Sequence, residues 1–200
     1  MPDQLFQMMK RIAVFCGSSS GTNEVYIEGV RKLGVALAEQ NIHLVFGGGK
    51  VGLMGVLADA VLAAGGEAIG VIPGFLNIRE VAHEDVTELI TVSSMHERKA
   101  LIHDMSDGFI ALPGGFGTLD ELFESLTWGQ LGIHQKPVGI LNINGYFSHI
   151  LSAMDRMVGE GFLKGINRDM VLVSERIEEL LEKMELYRAP SVPKWITSAQ

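Results

Sequence analysis

Along the chain, short unbroken apolar runs alternate with longer stretches in which apolar residues recur every three or four positions. The first run, Ile12 to Cys16 (IAVFC), stops at Gly17-Ser18-Ser19-Ser20-Gly21. A continuous run of this length suits a strand buried on both faces, as in a parallel sheet. Thr22 then caps a helix to about Gln40, with Val30, Leu33, Ala36 and Leu37 as its apolar stripe. A strand over His43 to Phe46 leads into Gly47-Gly48-Gly49. The helix that follows, Gly52 to Ala64, ends at Gly65-Gly66, which supply left-handed cap geometry. Glu67 to Ile72 is the next strand, whereas Phe75 to Val86 has no clear period and reads as a loop with room for helical turns.

The alternation then resumes. Leu89 to Val92 reads as a strand, Ser94 to about Ser106 as a helix, Gly108 to Leu112 as a strand and Leu119 to Leu131 as a helix. Val138 to Asn142 (strand), Tyr146 to Glu160 (helix) and Val171 to Val173 (strand) follow. Ser174 caps a last helix whose Ile177, Leu180, Leu181 and Met184 keep i, i+3, i+4, i+7 spacing. Pro190 and Pro193 close regular structure. Strands alternating with helices predict an α/β fold of three layers, a mainly parallel sheet flanked by helices. We read residues 1–188 as a single Rossmann-like domain and 189–200 as a C-terminal tail.

Composition narrows the function classes. A length of 200 residues with 47% apolar and 20% charged positions describes one globular domain. Sixteen Lys and Arg against 24 Asp and Glu leave a net charge of -8, which argues against nucleic acid as a partner. A small anion needs only a few well-placed donors and stays open. The single cysteine, Cys16, excludes an intrachain disulfide and a cysteine-based zinc site, and reads as a small core residue. The most apolar stretch, Val51 to Pro73, is broken by Asp59, Glu67 and Gly65-Gly66, so no membrane partner is expected. With no signal-peptide core at the start, a cytoplasmic location is expected.

The 24 glycines exceed the usual ~7% and cluster after strands. Gly17 to Gly21, Gly47 to Gly49 and Pro113 to Thr118 all fall where strand ends meet helix starts. Open parallel sheets bind ligands there, and backbone N–H groups at helix N-termini take anions. The three loops together suggest a nucleotide or sugar-phosphate pocket; tight turns alone would also use glycine. Two nucleotide patterns are not met: Asp120 stands where GxGxxG needs its third glycine, and Gly49-Lys50 is followed by Val51 rather than Ser or Thr.

The segment from Pro113 to Glu121 (PGGFGTLDE) carries the strongest signal. Thr118 and Glu121 have capping-box spacing, which would make both structural. Alternatively, Glu121 sits one turn into a helix that faces the ligand. Upstream, Arg98 and Lys99 follow Met95-His96-Glu97 near another helix start, where cations oppose the macrodipole unless an anionic ligand or a solvated surface receives them. His96 and His103, seven apart, share a nominal face but lack the further ligands of a metal site. The helix bearing Leu122, Phe123, Leu126, Trp128 and Leu131 is apolar around much of its girth, which points to a dimer interface.

The motifs PGGFGTLDE and MHERK resemble the PGGxGTxxE signature and companion Arg-Lys motif of the Lonely Guy (LOG) family, long labelled lysine decarboxylases. FCGSSSG, FGGGKVGLMG, VIPGF and TWGQLGIHQKPVGILNINGYF support the resemblance, which runs from Arg11 to Arg188. It implies a Rossmann-like homodimer that hydrolyses the N-glycosidic bond of N6-substituted adenosine 5'-monophosphate, with no cofactor and no metal. Carried over by position, it implies Arg98 and Glu121 as the catalytic pair. Gly115, Gly117 and Thr118 would hold the phosphate, while Lys99, Glu80 and Thr127 line the substrate pocket. Gly114, Gly17, Ser18, Gly47 and Gly48 complete the expected substrate-binding set. A plain AMP or general nucleotide 5'-monophosphate nucleosidase, and a non-catalytic nucleotide-binding protein on the same fold, are the alternatives. Lys99 as a Schiff-base lysine lacks a pyridoxal-phosphate setting and is rejected.

Overall fold

A computed structural model describes residues 9–77 and 81–190 of the chain. Seven strands form one sheet: β1 (Arg11–Phe15), β2 (His43–Phe46), β3 (Ala68–Pro73), β4 (Glu88–Val92), β5 (Gly108–Ala111), β6 (Val138–Leu141) and β7 (Val171–Ser174). Their order across the sheet is β4-β3-β2-β1-β5-β6-β7, and every pairing is parallel. The expected α/β architecture is therefore present. The unbroken apolar runs have their reason in burial: all residues of β3, β5 and β6 are buried, whereas the edge strand β4 exposes Glu88 and Thr91.

Alternate residues of β1 separate two cores. Ile12 and Val14 pack with Leu33, Leu57 and Leu180, from α1 (Glu24–Glu39), α2 (Gly52–Ala63) and α7 (Ile177–Leu186). Ala13 and Phe15 face Ile102, Leu122 and Met154, from α3 (Met95–Met105), α4 (Phe116–Gln130) and α5 (Ser148–Gly159). A short α6 (Gly165–Arg168), absent from the expected elements, precedes β7. The chain winds outward from β1 to β4, then returns through α3 to lay β5 on the other side of β1. That reversal opens a crevice at the carboxyl ends of β1, β2 and β5, where the glycine-rich loops begin.

Several expected helix starts are corrected. Asn23, not Thr22, caps α1, its side chain accepting the Val25 N–H at 3.1 Å. Helix α4 begins at Phe116, three residues before the expected Leu119, because the extended Gly115 is its N-cap. Thr118 and Glu121 consequently lie inside the helix and form no capping box. Ser174 does not cap α7; it ends β7 and accepts the Arg176 N–H at 3.0 Å, with Arg176 at the cap position. Helix α5 starts at Ser148 rather than Tyr146, because Ile143–Gly145 form a turn of 3-10 helix with Asn144 and Gly145 left-handed. Gly65 does end α2 in the left-handed conformation, as expected. Among the described residues no helix is long and apolar enough to cross a membrane.

Candidate active site

Gly17 ties the three loops together. Its N–H donates to the Pro113 carbonyl and its own carbonyl accepts the Leu53 N–H, both at 3.0 Å. The loops after β1, β2 and β5 thus form one floor, above which lies a cleft of about 440 Å³. Arg98 enters this cleft from the first turn of α3. Ser94 caps that helix by accepting the Glu97 N–H at 3.1 Å, and Glu97 reaches back to the Ser93 N–H and hydroxyl at 2.7 and 2.6 Å. The reciprocal cap fixes the helix start, and Glu97 in the first turn complements the macrodipole that Arg98 opposes.

The Arg98 guanidinium lies directly on Gly47. A Cβ there would collide with Nη2, so this glycine exists for close approach. From that seat, Nη2 faces Oε1 of Glu121 at 3.3 Å, and each side chain is only 13% exposed. Burial raises the Glu121 carboxyl to about 7, against the opposing pull of Arg98 and with Asp120 adding to the rise. Arg98 Nε is buried with no hydrogen-bond partner among the described residues. The pair is therefore a cation aimed into a cleft beside a carboxyl that titrates near neutrality.

Lys99 is committed elsewhere. Its ammonium contacts Asp120 at 3.2 Å and Glu124 at 3.0 Å. Burial pulls its pKa down, but the hydrogen bonds to Glu124 and Asp120 more than offset that and hold it charged. At the start of α4 no side chain among the described residues caps the helix, and Gly115, Phe116, Gly117 and Thr118 of this start line the cleft. A methyl group at Gly115 or Gly117 would meet no protein atom within 4 Å. Packing does not require these two glycines; the space they leave belongs to the cleft.

The structure brings Gly17, Ser18, Gly47, Arg98, Lys99, Gly115, Gly117, Thr118 and Glu121 to the cleft wall. It does not bring Gly48, Gly114 or Thr127 there. Gly48 packs beneath, against Ile72 and Leu89, while Gly114 backs the loop against Gly17 and Thr118. Thr127 sits exposed, nearly three turns along α4, and donates to the Phe123 carbonyl at 2.7 Å. Glu80 lies outside the described residues. Sequence reasoning missed the apolar wall of Ile72, Leu76, Val81, Met54 and Met95, because such side chains look identical in cores and in pockets.

Cys16 also borders the cleft, but burial, with the Glu121 carboxylate second, pushes its thiol far up and leaves it unionised. His96 is exposed whereas His103 is buried against Phe109 and Trp128, so the two do not share a face. Among the described residues no three His, Cys, Asp or Glu side chains are grouped to hold a metal.

Residues 54–184 match the protein family described as possible lysine decarboxylase. The cytokinin riboside 5'-monophosphate phosphoribohydrolase LOG5 of Arabidopsis thaliana is 47% identical over 179 residues, 90% of this chain and 78% of its own. LOG1 of the same plant is 49% identical over 178 residues, 89% of this chain and 84% of its own. Among solved structures, the molybdenum cofactor binding protein of Rippkaea orientalis superposes with a TM-score of 0.68 at 22% identity, covering 90% of this chain and 98% of that one. The molybdenum cofactor carrier protein of Chlamydomonas reinhardtii gives 0.67 at 22% identity, over 88% and 96%. At that identity the likeness is one of fold.

Proposed function

The chain belongs to the LOG phosphoribohydrolase family, and we propose on that premise that it hydrolyses the N-glycosidic bond of N6-substituted adenosine 5'-monophosphates. The products are the free base and ribose 5-phosphate. The observation that carries this reading is the buried Arg98–Glu121 pair, 3.3 Å apart beside the uncapped start of α4. The 5'-phosphate takes the N–H groups of that first turn, where the helix dipole favours an anion. Arg98 adds a fixed cation for the phosphate or ribose. The apolar wall from Ile72 to Met95 receives the purine and its N6 substituent.

As the bond from C1' to the purine nitrogen breaks, its electron pair leaves with the base and positive charge grows on the ribose. The Glu121 carboxylate stabilises that charge and takes a proton from the water that attacks C1'. A carboxyl titrating at about 7 gives the proton up again as readily, so the departing base can receive it and the site regains its charge. A decarboxylase role for Lys99 is disfavoured by its chemistry: a Schiff base needs a free amine, and this one is held charged between two carboxylates.

Comparing isopentenyladenosine 5'-monophosphate with unphosphorylated isopentenyladenosine tests the reading. Base release from the monophosphate is expected to exceed that from the nucleoside by about a hundredfold or more, since remote binding energy supports the chemistry. Equal release from both would remove the phosphate from the account. AMP in parallel ranks the unsubstituted base.

A further inference from the structure

We propose that Tyr146, which lies outside the cleft, is a positioning residue that sets the phosphate-binding loop by holding the Gly114 carbonyl. The inference rests on the reading of the α4 start as the phosphate site. The Tyr146 hydroxyl donates to the Gly114 carbonyl oxygen at 2.6 Å, a contact 32 residues distant in sequence. In a planar trans peptide the carbonyl and the following N–H point in opposite directions. Drawing the Gly114 carbonyl outward therefore turns the Gly115 N–H inward, toward the cleft that Gly115 lines.

The clamp is built on both sides. On the loop, the Pro113 carbonyl accepts from Gly17 and the Gly115 carbonyl accepts from Leu119, so three successive carbonyls are engaged by the protein. Only N–H groups are left to face a ligand. Gly114 itself has no room for a Cβ, being pressed against Thr118 and the Gly17 nitrogen. On the tyrosine side, the left-handed Asn144 and Gly145 turn the chain after β6. The buried Asn142 side chain then accepts the Phe147 N–H at 2.8 Å and fixes the neighbouring residue. Tyr26 of α1 meets the Tyr146 ring edge-on at 5.7 Å between centroids, and Phe147 does so at 5.1 Å. A ring propped this way loses little freedom on making its hydrogen bond. Tyr146 is 42% exposed, so its hydroxyl bond to the loop is not a by-product of core burial.

The test uses Tyr146→Phe, which deletes one oxygen, combined with Glu121→Gln to stop turnover. Calorimetric titration with AMP and with adenosine separates the phosphate from the rest of the ligand. AMP binding is expected to weaken about five- to tenfold, the effect of one hydrogen bond, with adenosine changed less than about twofold. In the turnover-competent background the single variant is expected to raise KM more than it lowers kcat. Equal weakening of AMP and adenosine, or no change in either, would overturn the proposal. Should Tyr146→Phe lose its fold, Tyr26→Leu removes only the supporting ring and is expected to give the same split at smaller size. A protein that binds AMP in a Tyr146-dependent way yet releases no base would keep this inference and refute the hydrolase reading.

Discussion

Arg98 and Glu121 show how burial changes two ordinary side chains. Each is 13% exposed, and the carboxyl sits at about 7 because burial outweighs the attraction of the guanidinium. If the ionised carboxylate is the working form, kcat/KM falls as pH drops below about 7. Arg98 holds that value down, so Arg98→Gln should move the acid limb of the residual activity to higher pH; a pH–rate profile shows it. A limb that moves downward would contradict the assignment. Gly47→Ala would push the guanidinium from its seat, and a displacement of this kind costs on the order of a hundredfold in rate. Steady-state kinetics on that variant read the loss directly. Much of this scale is legible in the sequence: MHERK and PGGFGTLDE single out Arg98 and Glu121, which the structure places 3.3 Å apart. What pattern could not supply was the depth of burial, the two partners of Lys99, or the exposed position of Thr127, about three turns along α4 and away from the cleft wall.

Among elements, α4 carries both cleft-lining residues and, among the described residues, an exposed apolar surface. Its buried residues Thr118, Leu122, Ser125 and Gly129 recur at helical spacing, which leaves Phe123 at 36% and Leu131 at 45% exposed, with Phe116 and Ile133 beyond them at the two ends. We propose that a second copy of the chain covers this face. Light scattering at micromolar concentration is expected to give twice the monomer mass, and Phe123→Glu with Ile133→Glu to return it to one. A monomeric parent protein would remove the idea. The strands are the easiest elements to foresee, because continuous apolar runs such as Gly108–Ala111 have few other uses in an α/β chain. Helix starts were harder. Thr22 and Asn23 are both good caps, and only backbone geometry selects Asn23; Thr-x-x-Glu at 118–121 mimics a cap inside a helix whose real one is the featureless Gly115.

For the whole molecule, the outward winding from β1 and the return to β5 put the three glycine-rich loops in one crevice; their positions after strands suggest a shared pocket, but no local pattern gives the strand order that builds it. Placing a titratable carboxyl there has a stability consequence with a definite sign. Glu121 keeps its proton to about 7 when folded, against a normal value of 4.5, so the folded state binds more protons between those limits. Its contribution to stability is thus lost as pH rises through that window. Glu121→Gln cannot ionise, so its Tm relative to the parent should rise between pH 4.5 and 7; a difference independent of pH would contradict the buried carboxyl. The central claim is that Glu121 serves hydrolysis of the bond between ribose and base. It is tested most directly by measuring both products of one reaction, the free base by chromatography and ribose 5-phosphate by its reducing end. From isopentenyladenosine 5'-monophosphate, equal molar amounts are expected with the parent protein, and at least about a hundredfold less of each with Glu121→Gln. Unequal products, or undiminished release from the variant, would contradict it.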